Sequence, residues 1–297
     1  MKPSTRAHLL LTLTALVWGV AFVAQDVAAD RLEPFTFNAL RMALGALSLL
    51  PLLRARAARA PKPAPENRRA LWVGGTCCGA MLMLGSAFQQ MGIAGGTGAG
   101  KAGFITALYI VLVPLLGLLS GRRVRALTWL AVALAAGGLY LLCMRERFAI
   151  APGDGLLLLC ALSFAGHILV VDFFSRRVDC LRLSCLQFAV CAALCAVAAL
   201  LWESPSWADV RACAAPILYA GVISCGVGYT LQTVGQKGTT PTIASLLMSL
   251  ESVFAVAAGW LILGDALTLR EGLGCAAMMG AIVLAQLQPQ TVPQRQA

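Results

Sequence analysis

The stretch TIASLLMSLESVFAVAAGWLILGDALTLREGLGCAAMMGAIVLAQ, from Thr242 to Gln286, decides the fold of this chain. It contains a long apolar run with one acid, Glu251, near its middle, then a short turn at Gly264-Asp265 and a second apolar run. The same design occurs 143 residues earlier in AGKAGFITALYIVLVPLLGLLSGRRVRALTWLAVALAAGGLYLL, from Ala99 to Leu142. This similarity predicts an internal repeat.

The identities between the two copies fall on residues with backbone or polar roles. Over residues 85–142, 12 of 58 positions are identical, whereas a chain so rich in Ala, Leu and Gly would give roughly five or six by chance. We therefore expect two related units, residues 1–147 and 148–297. The matches include Gly85 with Gly228, Gln89 with Gln232, Gly92 with Gly235, Thr97 with Thr240, Gly121 with Gly264, and Gly137 with Gly280.

The composition predicts a protein embedded in a lipid bilayer. Of the 297 residues, 59% are hydrophobic and only 12% are charged, and the mean hydropathy is +0.81. Soluble domains carry about 25% charged residues, so this chain could not solvate its surface in water. The expected fold class is an all-α polytopic membrane protein.

The net charge of +10 does not indicate a nucleic-acid partner, because the basic residues lie in short loops between apolar runs, without interleaved aromatics. The eleven cysteines are odd in number, mostly lie within apolar runs and form no CxxC pair. Together with only two histidines, this pattern predicts reduced packing cysteines, with no metal site and no cofactor. No GxxxxGK[ST] motif for ATP is present.

Spanning a bilayer requires about 20 apolar residues, and ten segments qualify. They are Leu9–Ala29, Pro34–Leu53, Leu71–Met91, Ala99–Ser120, Ala126–Met144, Gly155–Phe174, Leu183–Trp202, Ala212–Thr233, Pro241–Leu263 and Leu269–Leu287.

The distribution of basic residues predicts the orientation. With the N-terminus in the cytoplasm, sixteen of the 23 Lys and Arg residues lie inside and six outside, and Arg41 lies within a helix. The positive-inside rule therefore favours both termini in the cytoplasm of a cell (inner) membrane protein. Since five spans per unit is an odd number, the second unit must enter the membrane from the opposite side. A 5+5 inverted repeat of this kind is typical of alternating-access carriers, although it also fits some channels.

Four motifs in order resemble the EamA-type family of the drug/metabolite transporter superfamily. They are Trp18-Gly19-Val20-Ala21-Phe22, FNALRMALGALSLLPL around Arg41, KAGFITALYIVLVPLL from Lys101, and SLESVFAVAAGWLILGDALTLREGLGCAAMMGAIVLAQ at helices nine and ten. The resemblance covers nearly the whole chain. It implies ten helices in a 5+5 inverted repeat that carries small metabolites, often outward. Helix nine departs from many relatives, which have a proline after the acid or lack the acid.

Glu251 lies about 15 Å from either face of the membrane. An ionised carboxylate at that depth costs at least ~2.5–3.5 kcal/mol, so it requires a partner, a cavity or a proton. We expect it either to handle a proton or cation at a substrate site, or to lock helix nine in a structural ion pair.

Two basic residues also lie near or within the membrane. Arg41 is about 10 Å deep, and we expect it to serve as a structural anchor in an ion pair. Lys101 opens helix four after a Gly-rich approach; it could meet an anionic substrate or be a solvated helix end.

The remaining candidates for substrate binding are aromatic or carry amides. Trp18 lies near mid-helix, so its indole N–H requires an interior partner or a wet cavity. Gln89 and Gln232 occupy equivalent places in helices three and eight, and an amide is costly in lipid unless it is bonded. With Tyr109 and Tyr229 they would form an aromatic cavity with a few polar contacts. His167, with Asp172 five residues later, is expected to be a packed, neutral histidine.

The sequence thus predicts a secondary transporter, and not an enzyme. It would export a small organic metabolite, such as an amino acid, a nucleobase or a drug-like compound, with protons as the candidate coupling ion. The alternative is a membrane channel or a lipid-handling scaffold. An intramembrane enzyme is disfavoured because the chain has no HExxH motif, metal-ligand cluster or paired membrane aspartates.

Overall fold

The computed structural model describes residues 3–59, 67–95, 99–119, 121–122, 124–144, 152–258 and 268–287. Every regular element in these ranges is helical. The predicted turn at Gly264-Asp265 lies outside the described residues, as do the chain ends and residues 60–66.

The first six helices come from the N-terminal part of the chain. They are α1 (Pro3–Ala29), α2 (Pro34–Arg59), α3 (Arg68–Ala94), α4 (Ala99–Ala107), α5 (Tyr109–Leu119) and α6 (Ala126–Cys143).

The remaining elements follow from residue 154. They are α7 (Asp154–Ser175), α8 (Cys180–Trp202), α9 (Trp207–Ala212), α10 (Ala214–Leu218), a π-helical segment (Tyr219–Tyr229), α11 (Thr230–Gln236), α12 (Pro241–Met248), α13 (Glu251–Ala258) and α14 (Leu269–Gln286).

Eight helical stretches in the described ranges are long and apolar enough to cross a membrane. They correspond to the first eight predicted spans. The stretch Pro241–Ala257 is apolar but shorter, and α14 carries Arg270 and Glu271 in its first turn. The prediction of an all-helical membrane protein is confirmed; the predicted ninth and tenth spans are less complete within the described residues.

The outside of the bundle is covered by large apolar side chains. Leu200 is 82% exposed, and Trp202 and Trp207, at the end of α8 and the start of α9, are 72% and 76% exposed. In water such a surface would be an aggregation liability. In a bilayer such a surface would face lipid, and tryptophans at helix ends are typical of the membrane interface.

The fourth and ninth predicted spans are both broken near the middle. In the fourth, α4 ends and α5 begins on either side of Leu108, whose N–H donates to the Ile105 carbonyl three residues back at 3.2 Å. Pro114 follows in α5 and cannot donate a backbone hydrogen bond. In the ninth, the Ser249 hydroxyl bonds to the Leu246 carbonyl at 2.8 Å, a local bond that competes with regular helix geometry.

The helices pack through small residues. Helix α6 lies against α14, where a Cβ added at Gly138 would stand 2.9 Å from the Gly274 carbonyl oxygen. Only glycine permits that approach, as is common between membrane helices. Elsewhere α3 packs on α7 and α8, α2 on α8 and the π-helical segment, and α1 on that segment, α11 and α13.

Candidate functional site

Seven of the eight residues singled out from the sequence line one cavity. The space among its lining atoms, with the open solvent at its mouth included, is about 520 Å³. Those seven are Trp18, Arg41, Gln89, Tyr109, Tyr229, Gln232 and Glu251; the other lining residues are Ala21, Phe22, Gln25, Thr106, Phe164, His167, Ile168 and Ser224. Aromatic walls with a few convergent polar groups are typical of a small-molecule site.

Glu251 is the acid of this cavity, and it is 5% exposed. It is the first residue of α13, directly after the break in the ninth span, where the helix N-terminus favours negative charge. The Tyr109 hydroxyl, at the start of α5, donates to Glu251 Oε1 at 3.2 Å. The breaks in two separate spans therefore bring their first residues into one hydrogen bond.

Glycine lets helix α1 approach this break closely. A Cβ added at Gly19 would lie 2.7 Å from the Glu251 carbonyl oxygen. The neighbouring Trp18 lines the same cavity as the acid. No Lys, Arg or His nitrogen among the described residues lies within 4.0 Å of the Glu251 carboxylate. The ion pair considered from the sequence is therefore not formed within that part of the chain.

Arg41 is held by amides instead of a carboxylate. Its side chain is buried, with 3% of the residue exposed. Its Nε donates to Asn38 Oδ1 at 2.8 Å, and its Nη1 donates to Gln25 Oε1 at 3.2 Å. The guanidinium also stands 5.3 Å from the centre of the Phe37 ring. The ion pair expected for Arg41 is thus absent among the described residues, where neutral oxygens replace it.

Further amide contacts with the backbone surround Arg41. Asn38 Nδ2 donates to the Ser86 carbonyl at 3.1 Å, and Gln90 Nε2 donates to the Gln25 carbonyl at 3.2 Å. Gln25, Asn38 and Gln90 were not among the site residues predicted from the sequence. The available signal was an amide inside an apolar run, the same signal that selected Gln89.

The aromatic wall is built around Tyr229, at the end of the π-helical segment. Its ring centre is 4.5 Å from that of Trp18 and 6.0 Å from that of His167. The Thr14 hydroxyl of α1 donates to the carbonyl of Gly228 at 3.1 Å, which ties the segment to α1.

Two buried polar atoms in this wall have no hydrogen-bond partner among the described residues. They are Trp18 Nε1 and Gln232 Oε1. Unpaired buried polar groups are costly, and both of these belong to residues that line the cavity.

His167 and Lys101 differ in how they match expectation. His167 is buried and packed, as expected, with Nε2 at 2.9 Å from Gln187 Oε1, yet it also lines the cavity. Lys101 does not line the cavity. It forms an ion pair with Asp154 at the start of α7, so it lies apart from the cavity that the other candidates share.

An ionic network lies at the end of the bundle where α7 finishes. Asp172, 2% exposed, accepts hydrogen bonds from Arg122 Nη2 at 2.8 Å and Arg176 Nη2 at 2.7 Å. Arg176 also donates to the carbonyls of Lys237 and Thr239. The network joins the α5–α6, α7–α8 and α11–α12 connections, and we call this end the Asp172 face.

The opposite end is marked by Glu203, and we call it the Glu203 face. Helix α8 begins beside the Asp172 face and ends at Trp202. There Glu203 accepts hydrogen bonds from the backbone N–H groups of Phe35 and Thr36 at the start of α2. Arg41 lies seven residues into α2 and Gln25 four residues before the end of α1. The cavity therefore extends from mid-bundle toward the Glu203 face.

In the described part of the chain, no group of three or more His, Cys, Asp or Glu side chains could hold a metal ion. All eleven cysteines lie in that part, and each is free.

Comparison with known proteins identifies the class. The sequence pattern of the EamA-like transporter family matches residues 5–144 and again residues 151–287. An uncharacterized transporter of Archaeoglobus fulgidus is 30% identical, over 95% of this chain and 86% of that protein. The uncharacterized transporter YwfM of Bacillus subtilis is 26% identical, over 95% and 94%. A chain in a solved crystal structure is 20% identical with a TM-score of 0.79, over 95% of this chain and 97% of that one.

The apolar helices and this match define a multi-pass membrane protein of the transporter class. The chain belongs to the EamA-like transporter family, in the drug/metabolite transporter superfamily.

Proposed function

We propose that this protein is a secondary transporter that carries a small organic metabolite through the cavity by alternating access. The observation that carries the proposal is the hydrogen bond between Tyr109 and Glu251. It joins two broken helices at the wall of the cavity, and broken helices that meet at a central site are a recurring feature of such carriers.

The ten passes form a 5+5 inverted repeat, with residues 1–147 and 148–297 as its halves. Two observations support this division. The family pattern matches twice, once in each half. The helix packing is also symmetric. Helix α3 of the first half packs on α7 of the second half, and in the same way the π-helical segment and α11 of the second half pack on α1 of the first. Helices α6 and α14, one from each half, pack on each other.

Glycine contacts support the same symmetry. A Cβ at Gly85 would meet Phe164 of α7 at 2.9 Å, and one at Gly228 would meet Trp18 of α1 at 2.9 Å. Gly85 and Gly228 are matched by the repeat, and their two aromatic contacts, Phe164 and Trp18, both line the cavity.

In the same pattern, a Cβ at Gly92 would meet Leu157 of α7 at 2.7 Å, and one at Gly235 would meet Leu11 of α1 at 2.9 Å.

The carrier works in the cell membrane with both termini in the cytoplasm, and moves its substrate outward in exchange for protons. In the described conformation, the Asp172 network closes one end and the cavity extends toward the other. Alternating access breaks that network as the Glu203 face closes. A carboxylate that meets water on alternate sides can take a proton on one side and release it on the other.

Counterflow in liposomes tests the proposal. Purified protein is reconstituted with a high internal concentration of one candidate amino acid, nucleobase or organic cation, and uptake of trace labelled compound is followed. A carrier gives a transient, saturable overshoot with at least one compound. A channel gives simple equilibration without overshoot, which would support the alternative class.

A further inference from the structure

Helices α7, α8 and α11 enclose four polar side chains that do not line the cavity. Ser184, Gln187, Thr233 and Gln236 are each fully buried, although they lie within apolar membrane helices. We call these four residues the Ser184 group. The Ser184 hydroxyl donates to Thr233 Oγ1 at 3.2 Å, and the Thr233 hydroxyl donates to the Tyr229 carbonyl at 2.9 Å. Because α11 packs on both α7 and α8, the group lies between these three helices.

The Ser184 group lies between the cavity and the Asp172 face. At the cavity end, His167 lines the cavity, and its Nε2 lies 2.9 Å from Gln187 Oε1. At the other end, Gln236 is followed by Lys237, whose carbonyl accepts a hydrogen bond from Arg176 of the Asp172 network. Polar side chains therefore continue from the cavity wall to the network that closes this end of the bundle.

Two atoms of the Ser184 group have no hydrogen-bond partner among the described residues. They are Gln187 Nε2, a donor, and Gln236 Oε1, an acceptor. Gln232 Oε1, on the cavity wall, is a third unpaired atom on the same helices. Such atoms are costly in a membrane interior, and a buried water typically makes about three hydrogen bonds to groups of this kind. A donor and two acceptors on α8 and α11 therefore suit water, which can both donate and accept.

The internal repeat relates this group to the open side of the cavity. Gln90 Nε2 donates to the Gln25 carbonyl of α1 at 3.2 Å, and Gln236 Nε2 donates to the Ile168 carbonyl of α7 at 3.1 Å. The cavity extends toward the Glu203 face along α1, α2 and α3, so the matched helices α7, α8 and α11 mark the corresponding side toward the Asp172 face. The matched pairs at the 143-residue offset are Gln25 with Ile168, Arg41 with Ser184, Gln89 with Gln232, and Gln90 with Thr233.

We propose that the Ser184 group is a second polar site, hydrated and continuous with the cavity at His167, and that it forms the route between the cavity and the Asp172 face. The route rests on the proposed function, whereas the hydrated site does not. In the described conformation the Asp172 network covers the site, and breaking that network opens it. The four side chains carry no charge, so a passing molecule meets hydrogen-bonding groups without a fixed charge to hold it.

Reaction of introduced cysteines with methyl methanethiosulfonate tests the hydration. The reagent is small, uncharged and membrane-permeant, so its rate reports water at the thiol and not which side is open. In full-length protein without native cysteines, in liposomes, Ser184→Cys and Thr233→Cys should react at least about tenfold faster than Leu183→Cys, because the thiolate is the reactive form and apolar surroundings suppress it. Equal rates at the three positions would overturn the inference.

Leu183 is the matched control for this test. It precedes Ser184 and is also fully buried, but it packs in an apolar cluster with Val171 and Val178. Ser184→Cys and Thr233→Cys each replace a hydroxyl by a thiol, and they lie on different helices. One folded variant of the two is therefore enough to compare with the control.

A charged, impermeant methanethiosulfonate then tests the route. With Asp172→Asn, which releases the network, the reagent should reach Ser184→Cys only from the side that labels Arg177→Cys, the exposed marker of the Asp172 face. With Asp172 retained, Ser224→Cys, which lines the cavity, should be labelled from the opposite side. If Asp172→Asn does not fold, Arg122→Gln removes one arm of the network in its place. Labelling of Ser184→Cys from the Glu203 face, or from neither face, would contradict the route.

The outcomes separate this inference from the carrier proposal. Counterflow in a protein whose Ser184→Cys and Thr233→Cys variants react as slowly as Leu183→Cys would end this inference alone. Fast reaction at Ser184→Cys and Thr233→Cys without counterflow would end the carrier proposal and leave the hydrated site.

Discussion

At the scale of single residues, the central feature is a buried acid held by one neutral donor. Glu251 accepts from the Tyr109 hydroxyl and has no cationic partner among the described residues. A carboxylate locked in a buried ion pair would behave differently, because its removal leaves an unpaired charge and typically costs 3–5 kcal/mol.

We therefore expect Glu251→Gln to keep the fold, since a glutamine oxygen still accepts from Tyr109. Its melting temperature should fall by no more than about 2 °C, the equivalent of roughly 1 kcal/mol for a chain of this size. Net transport driven by a pH gradient should be lost while exchange survives. Tyr109→Phe, which keeps the acid but removes its hydrogen-bond donor, should transport more slowly than the wild type while keeping a pH response. A sharp drop in melting temperature would indicate a structural acid.

A double variant tests the separation of the two charges. Because Glu251 and Arg41 make no ion pair, the stability losses of Glu251→Gln and Arg41→Gln should add to within about 0.5 kcal/mol. Denaturant unfolding of the two single variants and the double variant measures this. A double variant more stable than Arg41→Gln alone would reveal a direct interaction between the two side chains.

At the scale of elements, two kinds of contact organise the bundle: glycine contacts between helices and ionic contacts between connections. The α6–α14 pair illustrates the first, since Gly138 and Gly274 each leave no space for a Cβ against the partner's backbone. Adjacent Gly137 has nothing within 4 Å of where its Cβ would stand. Gly137 can therefore serve as the control position for a substitution at Gly138.

Gly138→Ala should destabilise the protein by about 1–3 kcal/mol, because the two helices must separate to admit the methyl group. Gly137→Ala should be neutral or stabilising by up to about 1 kcal/mol, since alanine favours helix. Thermal unfolding in detergent measures both. Equal effects at the two positions would show that α6 and α14 do not pack closely at Gly138.

The Asp172 network illustrates the second kind of contact. Asp172→Asn removes the charge that holds Arg122 and Arg176, so the connections at this face should separate more often. A cysteine introduced by Ser175→Cys, at a fully buried position in a background without native cysteines, should then react with maleimide at least several-fold faster. Asp179→Asn, which breaks the more exposed pair with Arg56, is the control. Unchanged reactivity in Asp172→Asn would mean that the network does not close this face.

At the scale of the whole molecule, the charge distribution predicts an orientation that can be tested directly. A membrane-impermeant maleimide added to intact cells should label Ser206→Cys, which is exposed near the Glu203 face. It should not label Arg177→Cys, which is exposed near the Asp172 face. Both variants lack native cysteines. The reverse labelling pattern would place the termini outside the cell.

The sequence by itself determined the environment, the helical class and the family, all of which the structure and the comparisons confirm. Low charge and long apolar runs can be read directly from the sequence, and a chain with both is expected to fold in a lipid bilayer. Glu251 was identified for the same reason, because an acid in the middle of an apolar run is conspicuous without any neighbour. Its partner Tyr109, 142 residues away, was selected only as an aromatic wall.

Only the tertiary structure decided which polar groups meet. It paired Lys101 with Asp154, held Arg41 on Gln25 and Asn38, and gave Asp172 two arginines. In a soluble helix, a polar face tells which side is buried. In a membrane helix, lipid and protein interior are both apolar, so the pattern along one helix does not fix its rotation, and the contacts exist only after the helices pack.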